Sequence, residues 1–166
     1  MRWLILLFFM IPVGLRAEPL SREALEGMIS APYALGQPLN DQGVWSLLNS
    51  GGGEAGYVFE TGPLAPLPGF SGQPINILVL LDLEGTFIET RLLSHNEPIF
   101  VSGLGEAPLR QFLSQYRGRS INQPLVVGSP YGGGQGGDLV YLDGVTKATA
   151  SVRIAHDSIL AATLAV

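Results

Sequence analysis

Ile75-Asn76-Ile77-Leu78-Val79-Leu80-Leu81-Asp82, closed by Leu83-Glu84-Gly85 and followed by Thr86-Phe87-Ile88-Glu89-Thr90-Arg91-Leu92-Leu93, is the stretch that decides the fold. The first run is apolar almost without a break, as a buried strand must be. The second alternates in part, and Glu84-Gly85 marks a turn between them. Together they predict a β-hairpin at the centre of the chain.

Working towards the C-terminus, Ala107–Tyr116 reads as an amphipathic helix, with Pro108 suited to its first turn and Gly118 beyond its end. Pro124–Val127 and Leu139–Leu142 read as two strands flanking a glycine-rich hairpin loop. From about Ala150 a last helix is expected, because Val152, Ala155, Ile159, Ala162 and Val166 recur at steps of three and four while Arg153 and Asp157 fall opposite. It reaches Val166 without a capping signal, which is expected of a piece of a longer protein. Towards the N-terminus, Tyr57–Thr61 and Val44–Leu48 are short buried or β-rich elements. Residues 62–74 and 31–43 are expected to be irregular, and Ser21 is placed to cap a short helix running to Met28. Strands and helices do not alternate regularly, so the fold class expected is α+β: a mostly antiparallel sheet with flanking helices.

The 166 residues suit one domain with a real core. There is no cysteine, which excludes disulfides, thiolate metal sites and cysteine nucleophiles within this stretch. The net charge is −5, without clustered cations, so a nucleic-acid partner is not expected. Met1-Arg2, an apolar run from Trp3 to Leu15 and the small residue Ala17 describe an export signal covering residues 1–17. A membrane anchor is the competing reading, but a spanning helix needs about 20 apolar residues and this run is interrupted by Pro12 and Gly14. Removing Arg2 and Arg16 leaves seven basic residues against fourteen acidic ones in the domain, residues 18–166.

Several chemical candidates fail on inspection. Residues 128–137 are rich in glycine but lack the Gly-Lys-Ser/Thr of a phosphate loop, and a strand follows where a dinucleotide fingerprint needs a helix. Two distant histidines, His95 and His156, are poor grounds for a metal, and none is expected. His156, beside Asp157, is expected at the surface. His95 lies in a loop straight after a strand, where functional side chains gather. No acid–base or nucleophile constellation suggests a catalytic residue. The better site joins the last strand to the last helix: Asp143-Gly144-Val145-Thr146-Lys147-Ala148-Thr149-Ala150-Ser151. Thr146, Thr149 and Ser151 gather three hydroxyls at a helix N-terminus. They serve either as ordinary caps or as neighbours of a phosphate drawn by the free amides and the helix dipole.

Asp143-Gly144-Val145-Thr146-Lys147-Ala148-Thr149 resembles the flavinylation motif of exported FMN-binding domains, Asp-x-x-Ser/Thr-Gly-Ala-Ser/Thr, with Lys147 standing where glycine is usual. Gly69-Phe70-Ser71-Gly72, the hairpin, and His95-Asn96-Glu97-Pro98 followed by Gly103-Leu104-Gly105 extend the likeness over nearly the whole domain. The layout is most similar to the N-terminal periplasmic domain of the NosR/NirI family of nitrous-oxide-reductase accessory proteins. The resemblance implies an FMN-binding-domain fold and an electron carrier, not a substrate-converting enzyme, with FMN esterified through its phosphate to Thr149 by a flavin transferase. It further implies cofactor contacts from Asp143, Thr146, Lys147, Ala148 and Ser151, and a ring packed near His95, Glu97, Gly103, Leu104 and Gly105. The implied partners are nitrous oxide reductase or its maturation machinery, and a membrane region elsewhere in the full-length protein. An alternative from another class is a flavin-free extracytoplasmic sensor or interaction module of a membrane regulator.

Overall fold

The computed structural model describes residues 18–128 and 138–166. The expected export signal, 1–17, and most of the glycine-rich loop, 129–137, lie outside them. Five strands form one sheet in chain order: β1 (Ala34–Pro38), β2 (Trp45–Leu48), β3 (Glu54–Glu60), β4 (Asn76–Asp82) and β5 (Phe87–Ser94), every neighbouring pair antiparallel. Among the described residues four α-helices accompany it: α1 (Arg22–Glu26), the single turn α2 (Thr61–Leu64), α3 (Ala107–Ser114) and α4 (Thr149–Ala165). The fold is α+β, as the sequence predicts.

The hairpin is the hub. Asp82 accepts hydrogen bonds on its carboxylate from the amides of Glu84 (3.0 Å) and Thr86 (2.6 Å). Gly85 takes a left-handed φ of 80°, which glycine allows without steric cost. The unbroken apolar run of β4 is explained by burial on both faces. Ile77, Val79 and Leu81 point into the main core with Phe87, Phe112, Tyr116, Val152 and Ile159. Leu78 and Leu80 face a smaller core with Leu25, Leu35, Leu47 and Val58. Ser21 caps α1, its hydroxyl accepting from the Ala24 amide.

Three expectations need correction. Residues 31–43 are not irregular throughout, since β1 lies among them. It is an edge strand, where Pro38 costs no ladder bond, and its Gly36 lets the backbone pass close to Ser46. Residues 62–74 are not all loop, because α2 opens the segment. The strands flanking the glycine-rich loop do not form a hairpin: β6 (Leu125–Val127) and β7 (Val140–Leu142) pair in parallel, Leu125 opposite Val140. The dozen residues between them are about the length a parallel crossover requires.

Candidate functional site

Two segments meet at one end of the main core. The first follows β5: His95, Glu97 and Pro98 lead into a turn of π-helix, Phe100–Leu104, a geometry often found at functional sites. The second is the loop from Asp143 into the start of α4. Their direct link is buried: the Ser151 hydroxyl donates to Glu97 Oε2. Glu97 is wholly buried, and its Oε1 has no hydrogen-bond partner. Gly69 lies against that oxygen, and a Cβ there would stand 2.2 Å from it. His95 Nδ1 accepts from the Glu97 amide (3.1 Å), which leaves the proton of the neutral ring on Nε2. That nitrogen faces Glu106 Oε1 at 3.4 Å, outside hydrogen-bond geometry, while the ring packs edge-on against Phe100. Glu106 is exposed; its hydrogen bond from Arg110 holds the carboxyl below the usual carboxylate range, and His95 adds to this.

Between the two segments opens a cleft of about 450 Å³. Pro98, Ile99, Ser102 and Gly103 form one wall; Lys147, Ala148, Ala150 and Ser151 form the other; Phe70, 75% exposed, stands at its side. The volume lies in the range of small-molecule and cofactor sites. Thr149 is exposed at the first position of α4, and no side chain caps that helix. Ordinary capping by Thr146, Thr149 or Ser151 is therefore not what these hydroxyls do. Lys147 has a left-handed φ of 70°, alone among the described non-glycine residues.

Of the residues singled out in the sequence, Gly103, Lys147, Ala148 and Ser151 line the cleft, and Glu97 braces the Ser151 wall from behind. Asp143 lies elsewhere, along a second hollow of about 340 Å³ between α3 and the loop. There Gln115 clamps its backbone, donating to the Asp143 carbonyl (2.9 Å) and accepting from its amide (2.7 Å). Thr146, Leu104 and Gly105 are exposed and outside the cleft wall, and His95 is set back from it. Phe70, Ile99 and Gln115 were not among the predicted site residues. An aromatic between glycines in a turn is a readable signal for Phe70; a glutamine at a helix end offers none.

His156 corrects another expectation. It is buried, not at the surface, with Nδ1 2.6 Å from the Tyr116 hydroxyl. Burial lowers its pKa against the opposing pull of Asp157, and burial raises that of Tyr116. Among the described residues no His, Asp and Glu side chains gather as a metal site requires.

Comparison with known proteins adds to this geometry. No family model matches the chain. It is 31% identical over 160 residues to the regulatory protein NosR of Pseudomonas aeruginosa, covering 96% of this chain. The chain belongs to the NosR/NirI family. Other members give the same result over shorter spans: the regulatory protein NosR of Stutzerimonas stutzeri is 34% identical over 64% of the chain, and the protein NirI of Paracoccus denitrificans 30% over 63%. The chain spans 22% of the length of the first of these NosR/NirI proteins, and the matched spans are 14% of the other two.

Proposed function

We propose that this chain is an exported FMN-carrying electron-transfer domain of the NosR/NirI family, serving nitrous oxide reductase activity or its maturation. The observation that carries the reading is the exposed Thr149, the first residue of a helix of 17 residues with no side-chain cap, beside a cleft of cofactor size. The amides of that first turn are donors left open for the oxygens of a phosphate ester on Thr149. Pro98, Ile99 and Ala148 would exclude water from the ring, and the Glu97–Ser151 bond would hold the two walls at a fixed spacing. Bound there, FMN supplies the redox chemistry, while the protein orients the ring and sets its electrostatic surroundings. Attachment would be the work of a flavin transferase, in a periplasmic location and with membrane tethering through the rest of the full-length protein.

Co-expression of the chain with a flavin transferase is expected to yield a yellow protein whose absorbance stays with the polypeptide after denaturation. Thr149→Ala should yield none that survives denaturation. Colour lost on unfolding in both proteins would contradict covalent attachment. A second reading draws on the names of two relatives, which are called regulatory proteins: a flavin-free extracytoplasmic sensor or interaction module of a membrane regulator. A colourless, unmodified wild-type product would favour it.

A further inference from the structure

Lys147 is the chain's only lysine, in a molecule with a net charge of −5. Its backbone is left-handed, a conformation that costs a side-chain-bearing residue energy glycine would not spend. Every other described residue lining the cleft is uncharged. Among the described residues Lys147 makes no ion pair, although Arg22, Arg91 and Arg110 do. Thr149, two residues on, lies outside the cleft wall, whereas Lys147 forms part of it. Lys147 is therefore a basic residue on the cleft wall that pairs with no carboxylate among the described residues.

We propose that Lys147 is the electrostatic partner of a flavin ring in this cleft and raises its reduction potential. The proposal rests on the flavin reading above. Reduction of a flavin by two electrons with uptake of one proton adds one negative charge to the ring. A lysine on the cleft wall favours that charged form; the other described lining residues are uncharged, and Glu97 stands behind the wall, bonded to Ser151. The cost of a left-handed lysine is thus offset by a positive charge where charge develops.

The test is a dithionite titration of the flavinylated chain against a reference dye, comparing wild type with Lys147→Met, Lys147→Gly and Lys147→Arg. The Met and Gly variants are expected to shift the equilibrium towards the oxidised form about tenfold, roughly 30 mV for a two-electron couple. Arg should stay within about threefold of wild type, and the shift should shrink at 1 M salt, where exposed charges are screened. The Gly variant separates charge from backbone strain: it relieves the second while removing the first. Potentials of the Met and Gly variants within about twofold of wild type would overturn the proposal and leave the flavin reading standing. A wild-type protein that takes up no flavin would overturn both.

Discussion

At the scale of single residues, the site is marked by places where the chain departs from its cheapest solution. Lys147 is one. Lys147→Gly is expected to stabilise the domain by about 1 kcal/mol, the left-handed penalty of about 1–2 kcal/mol less the greater entropy glycine loses on folding. Denaturant midpoints read this directly, and a destabilised glycine variant would mean that the lysine side chain contributes packing. Glu97 is another, a carboxylate with no exposure and a single side-chain donor. Ser151→Ala should cost about 1–3 kcal/mol by leaving it unsatisfied. Gly69→Ala should cost a comparable amount, because the new methyl meets Glu97 Oε1 and, at 2.7 Å, the Gln73 carbonyl. A neutral result for both would show that the two walls adjust independently of the Glu97 contact. Neither Gly69 nor the Glu97–Ser151 contact could be read from the sequence, since residues 54 positions apart carry no local signal of meeting.

At the scale of elements, the parts whose pattern is local were legible and those set by partners were not. The β4–β5 hairpin follows from an apolar run, a turn and a return. Helices α3 and α4 follow from three-and-four spacing, the latter with Ala155, Ile159 and Ala162 all buried. Strand β1 escaped because glycine and proline read as breakers, while its stability comes from pairing with β2. The parallel pairing of β6 with β7 is likewise a tertiary outcome: strand character is written locally, direction is not. His156 was misread because a neighbouring Asp157 suggests solvent, although the helix turns one towards the core and the other outward. The Gln115 clamp belongs to this scale, since it ties α3 to the loop that delivers Thr149. Gln115→Ala removes two hydrogen bonds, worth about 0.5–1.5 kcal/mol each. Hydrogen exchange should quicken over residues 140–148 and remain unchanged in β4. Unchanged exchange over 140–148 would mean that the loop holds its shape without the clamp.

At the scale of the whole molecule, stability depends on pH through a buried histidine. His156 ionises near pH 6.5 in the unfolded chain and lower when folded, because burial opposes its charge. Between those values the unfolded state binds more protons, so stability falls as pH drops below about 6.5 and owes nothing to this group above it. Denaturation midpoints from pH 8 to pH 5 should show this loss, with a shallower slope in His156→Gln. A stability that is flat or rising below pH 6.5 would contradict it. Glu106 adds its own acid loss only lower, below the ordinary carboxylate range, because its Arg110 contact lowers its pKa. As for the cofactor, composition and periodicity led no further than hydroxyls at a helix start; motif resemblance alone suggested flavin. Covalent attachment at Thr149 is tested by fragmenting the peptide that contains it, from chain co-expressed with a flavin transferase, and locating the modified residue by mass. The predicted result is an FMN phosphoester on Thr149 that is absent from Thr149→Ala. An unmodified peptide, or an adduct that persists elsewhere in Thr149→Ala, would contradict it.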